Sequence, residues 1–125
     1  MDSIKTLFFI TTAMIIVSCS NADPIQKNER YYQSQLCDEL KGQIEYVLFD
    51  KTRVDCLTNE YAIEVDWAKK WAESIGQSLY YAKITEKKPA VALILSESKA
   101  DQRHLARLNS VAKELNIKIF LLNKD

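Results

Sequence analysis

Asp55, Glu64 and Asp66 crowd one short stretch, RVDCLTNEYAIEVD, whose two halves alternate apolar and polar residues about Asn59-Glu60. That pattern is the signature of two strands joined by a tight hairpin. A two-residue loop sets Thr58 opposite Tyr61, Asp55 opposite Glu64 and Arg53 opposite Asp66. Directly opposed residues hold their Cβ atoms about 5 Å apart, and like charges at that spacing destabilise a sheet. Two opposed acids call for a positive partner. A divalent cation held by carboxylate oxygens fits that requirement. The simpler alternative leaves Asp55 and Glu64 as exposed carboxylates on a solvated sheet face. For Asp66, a cross-strand ion pair with Arg53 competes with a role as an additional ligand.

Further along, Lys70, Gln77 and Tyr81 recur at helical spacing and share one side of the next segment. They fall roughly opposite the apolar stripe of that segment, so a solvent-facing role is the plain alternative. His104 is the sole histidine and stands among Lys99, Arg103 and Arg107, which reads as a solvated basic helix face and gives no support to a Ser-His-Asp arrangement. Glycine-rich phosphate loops and cysteine-rich zinc motifs are absent from the sequence. Trp67 and Trp71 read as core, since Trp71 lies on the apolar stripe.

The elements that must position these groups follow from hydrophobic periodicity. Residues 31–42 have the spacing of a short helix with Gly42 as its stop. Residues 43–49 alternate as a strand, DKTR turns the chain into the second strand, and Asn59-Glu60 turns it into the third. Ala68, Trp71, Ala72, Ile75, Leu79 and Ala82 form a helical stripe, within which Gly76 is expected to allow a close contact. The run AVALILS is apolar at nearly every position, as befits a strand covered on both sides. Ser98 and Asp101 resemble a capping pair for a helix whose Leu105, Leu108, Val111 and Leu115 face the core. IKIFLL closes the chain as another buried strand. The expected fold class is α/β, a mixed sheet in the order α-β-β-β-α-β-α-β with helices on both faces and a right-handed final crossover.

This element order, with Asp55, Glu64 and the segment GQSLYY, resembles the PD-(D/E)XK nuclease superfamily, the restriction-endonuclease-like fold. The resemblance spans about Tyr31 to Asn123, and Gln77 and Tyr81 match the Q-x-x-x-Y pattern of its RecB-like branch. It implies Mg²⁺ (or Mn²⁺) on Asp55 and Glu64, with Asp66 as a further candidate ligand, DNA or RNA as partner, and phosphodiester cleavage as the reaction. The family's lysine two residues after the second acid is replaced here by Asp66. Lys70 is the expected substitute for assisting the attacking water, with Lys69 as the other candidate, and Gln77 is expected to orient substrate or ligand. The competing expectation is a nuclease-fold protein without catalysis that serves as a binding or interaction module, its protein partner unspecified by the sequence.

A chain of 125 residues that is 47% hydrophobic has room for one cored domain, and its formal net charge of zero counts modestly against a nucleic-acid partner bound through phosphate charge alone. The beginning differs from the rest. MDSIK leads into the apolar LFFITTAMIIV, too short to span a bilayer comfortably, and then into SCS. Ile16 to Cys19, IVSC, resembles the lipobox of bacterial lipoproteins. That resemblance implies a signal peptide over 1–18, lipidation of Cys19, a lipidated tether over 19–30 and a domain over 31–125. Membrane attachment through the lipid follows, in the cell envelope; Ser20 after the cysteine leans towards the outer membrane, facing the periplasm. An ordinary cleaved signal is the alternative. With Cys19 set aside, Cys37 and Cys56 remain as a pair that an oxidising compartment would join in a disulfide; two buried thiols are the alternative.

Overall fold

The computed structural model describes Ile25 and residues 27–124. The signal segment and Cys19 lie outside the described residues. Helix α1 (Glu29–Glu39) precedes strands β1 (Gln43–Val47), β2 (Arg53–Leu57) and β3 (Tyr61–Trp67). A single 3-10 turn (Ala68–Lys70) leads into α2 (Trp71–Thr85), followed by β4 (Lys88–Leu95), α3 (Lys99–Ala112) and β5 (Lys118–Asn123). The five strands form one mixed sheet in the order β1-β2-β3-β4-β5. The first three are antiparallel neighbours, whereas β4 runs parallel to both β3 and β5.

The hairpin register is the expected one. Cys56 pairs with Ile63 and Leu57 with Ala62, and the loop closes with Thr58 N–H donating to the Tyr61 carbonyl at 2.9 Å. Successive strand side chains point to opposite sides, and β4 shows the result. Ala90, Ala92 and Ile94 cluster with Tyr32, Leu36 and Cys37 of α1. The intervening Val91, Leu93 and Leu95 cluster with Leu108 and Ala112 of α3, and Trp71, Ile75 and Leu79 of α2 pack against them.

Several local features depart from the sequence reading, each for a physical reason. Helix α1 begins at Glu29 rather than in the low thirties, because Asn28 caps it by accepting from the Tyr31 N–H at 3.0 Å. At its other end Lys41, not Gly42, takes the left-handed conformation (φ 54°). Lys41 N–H reaches the Asp38 carbonyl and Gly42 N–H the Cys37 carbonyl, the paired bonds of a Schellman ending. Gly42 is needed for space: an added Cβ would lie 2.5 Å from Cys56 Sγ and 2.9 Å from Cys37 Sγ. Those sulfurs form the expected disulfide, with the Cα atoms 5.6 Å apart. Around Gly76, by contrast, an added Cβ would meet nothing within 4 Å, so no close packing explains that glycine.

The buried side of α2 is rotated from the expected stripe. Ser74 and Ser78 are wholly buried and Ala72 is exposed; the two hydroxyls donate to the carbonyls of Lys70 and Ile75, which satisfies them inside the core. In α3, Leu115 lies beyond the helix and is exposed, and Ala112 takes the buried place. Strand β5 is an edge, paired only with β4, so it is half-covered rather than buried.

Candidate metal centre

Beyond the Cys56–Ile63 pair, β2 and β3 give no further paired positions. Instead of a ladder bond at this point, the Asp55 carboxylate reaches over and accepts from the Val65 N–H at 2.7 Å. Strand β1 is irregular alongside: Glu45 has a positive φ of 54° and no paired partner, while Ile44 and Tyr46 on either side are paired with β2. Opening the sheet here creates a cleft of about 420 Å³, into which Asp55, Glu64, Asp66, Lys70, Gln77 and Tyr81 project. The acids singled out from the sequence thus face one cavity with Lys70, Gln77 and Tyr81, whereas Lys69, the other lysine candidate, lines a separate one beside Trp67. Tyr81 is buried, and Gln77 is half-buried rather than solvated.

The electrostatics are lopsided. Six carboxyl side chains line the cleft against three cationic ones. Glu64 is only 6% exposed; burial pushes it up to about 9, with the charges of Asp55 and Asp66 acting in the same direction. Burial also raises Asp55, to about 6, against the opposing hydrogen bond from Val65. Of this pair Glu64 is raised further, by burial and by the charges of Asp55 and Asp66, and it is the group that holds its proton. Asp66 is raised by burial in spite of the Trp67 N–H it accepts at 2.8 Å and the nearby Lys70. Lys70 Nζ stands 3.7 Å from Asp66 Oδ1, and that carboxylate holds the ammonium above its usual range. A lysine so held is a fixed positive charge, not a base.

The expected Arg53–Asp66 ion pair does not form. With β2 and β3 no longer paired beyond Cys56, Arg53 stays opposite Val47 of β1, and its Nε lies 3.5 Å from Glu45 Oε2. Arg30 approaches the other oxygen of Glu45 at 3.3 Å.

Glu45 and Glu73 of the cleft were not foreseen, nor were two contributions from α1. Glu29, in the first turn of α1, enters the cleft; burial pushes it up to about 7, followed by the charges of Asp66 and Asp55. One turn later the buried Gln33 donates from Nε2 to Glu45 Oε1 at 2.8 Å and to the Asp55 carbonyl at 2.9 Å, which ties α1 to the backbone that carries Asp55. The cue was Asn28-Glu29, a capping residue followed by an acid, which starts the helix early and puts Glu29 and Gln33 at i, i+4 on one side.

The donors are all oxygens, which suits a hard cation such as Mg²⁺ or Mn²⁺ and not zinc. Glu64 Oε2 and Gln77 Oε1 are buried acceptors with no donor among the described residues, a costly state that a cation would relieve. Among the described residues no three acidic, histidine or cysteine side chains are drawn together into a ready-made ligand cluster. Mg²⁺ does not require one, since it keeps several waters and commonly takes one or two carboxylates together with substrate phosphate.

No protein-family model, no curated protein and no solved structure matches the chain.

Proposed function

We propose that the protein is a metal-dependent phosphodiesterase acting on DNA or RNA, built on a restriction-endonuclease-like sheet with helices on both faces. The observation that carries this reading is Glu64. It is a buried carboxyl with one oxygen unpartnered, and it lines a cleft that also holds Asp55, Lys70 and Gln77. Asp55 and Glu64 hold Mg²⁺ or Mn²⁺, and Asp66 adds charge or a third oxygen. When bound, the cation polarises the scissile phosphate and lowers the pKa of water. Lys70, kept protonated by Asp66, orients the incoming water and stabilises charge on the phosphoryl oxygens, replacing the lysine that the strand lacks. The Gln77 carbonyl accepts a hydrogen bond from that water or from substrate.

The mature chain is anchored in the cell envelope through a lipid on Cys19, and the Cys37–Cys56 disulfide agrees with an oxidising compartment. Among the described residues no helix is long and apolar enough to cross a membrane; in this reading the lipid supplies the attachment.

Purified mature protein is expected to cut DNA or RNA with Mg²⁺ or Mn²⁺ and to lose that activity in Glu64→Gln. A calorimetric titration with Mn²⁺ should give heat that Asp55→Asn abolishes. The excess of acid over base in the cleft favours a second reading, a nuclease-fold interaction module without catalysis. Absence of heat at millimolar Mn²⁺ selects it.

A further inference from the structure

The tip of the β1–β2 hairpin carries an aromatic side chain that packing does not explain. Phe49 is 79% exposed, the most exposed large apolar residue among the described residues, while its neighbour Leu48 is buried against Val54 and Tyr81. Isolated exposed apolar residues are ordinary on protein surfaces. This one sits on a turn that is fixed from several directions. Leu48 N–H donates to the Thr52 carbonyl at 2.8 Å and Lys51 N–H to the Leu48 carbonyl at 3.0 Å. Asp50 Oδ1 accepts from both the N–H and the hydroxyl of Thr52, and Tyr80 of α2 donates its hydroxyl to Asp50 Oδ2. The residues that follow, Lys51, Thr52 and Arg53, line the acidic cleft. Asp50 alone thus separates the outward-held ring of Phe49 from Lys51, the first of the cationic residues lining the candidate centre.

We infer that Phe49 is a stacking post for an unpaired base of a single-stranded nucleic acid, with Lys51 and Arg53 taking the adjoining phosphates. The inference rests on the nuclease reading and deepens it by naming the substrate class. A cleft with twice as many carboxyls as cations repels a phosphate chain, and a chain of zero net charge offers little long-range attraction. Affinity must then come from contacts outside the acids, and base stacking on an aromatic ring supplies it regardless of sequence. Duplex bases have their faces covered by neighbours. A strand with free bases can therefore use the ring, and a continuous duplex cannot. The immobilised turn removes the ordering cost of presenting it.

The test measures fluorescence anisotropy of a labelled oligothymidylate on the mature protein with Ca²⁺, beside Mn²⁺ calorimetry on the same samples. Phe49→Ala is expected to weaken oligothymidylate binding about tenfold. Phe49→Trp should retain it, affinity for a blunt duplex should not change, and the heat of Mn²⁺ binding should be that of the unaltered protein. Equal affinity of Phe49→Ala and the unaltered protein for the oligothymidylate overturns the inference and leaves the metal-site reading standing. So does a loss confined to adhesion on anionic phospholipid vesicles, which would make Phe49 a membrane contact. Failure of the unaltered protein to bind any oligonucleotide also overturns it, and the calorimetry then decides whether the metal site falls too.

Discussion

At the level of single residues, Glu64 sets the behaviour of the bare protein. A buried carboxylate without donors is costly, so its proton is retained from the ordinary 4.5 up to about 9. Across that interval the folded chain binds more protons than the unfolded one, and stability falls as pH rises. Glu29, held to about 7, and Asp55, held to about 6, act with the same sign lower in the range. Melting of metal-free protein should therefore show Tm declining from the acid side towards about pH 9, with the upper part of the decline flattened in Glu64→Gln, which cannot ionise. A Tm that climbs over this interval contradicts the electrostatics described for the cleft. Gly76 offers an independent check on packing. Open space surrounds it in the middle of α2, so Gly76→Ala should stabilise the fold by about 0.5–1 kcal/mol, read from denaturant midpoints.

Among the elements, the disulfide and Gln33 join α1 to the hairpin that presents Asp55. Closing a loop over a sequence separation of 19 residues contributes about 3 kcal/mol in the chain-entropy account. Gly42 lies against both sulfurs, and Gly42→Ala is expected to cost about 1–3 kcal/mol through overpacking. In a Cys37→Ala, Cys56→Ala background, where neither Sγ is present, the same substitution should cost clearly less; equal costs in the two backgrounds would refute the contact. The β2–β3 register was readable because alternation and a two-residue turn leave one pairing that keeps Ile63 and Cys56 inside. What lay beyond reading was the point where pairing stops. The irregularity at Glu45 and the capture of the Val65 N–H by Asp55 are tertiary outcomes, and the sequence signals neither. Polar composition hid Glu29 in an apparent tether, and the apolar stripe expected for α2 left out Ser74 and Ser78, whose hydroxyls are satisfied by their own helix.

For the molecule as a whole, one charge imbalance links fold, stability and proposed activity. Opening the sheet next to the hairpin gathers acids from α1, β1, β2, β3 and α2 into a single cleft. The folded chain stores unfavourable electrostatic energy there that protons or a cation can release. Protons and cation compete for the same oxygens, so a divalent ion should stabilise the protein more as pH rises, opposite in sign to the slope of the bare chain. At about a hundredfold excess over its Kd the ion should add about 2.7 kcal/mol. Melts with and without Mn²⁺ across the pH range are therefore expected to converge on the acid side and separate on the alkaline side. Asp55→Asn and Glu64→Gln should each bring the two curves together. A separation that does not vary with pH, or that persists in both variants, would place the ion away from this cleft and leave its acids with protons as their sole counter-charge.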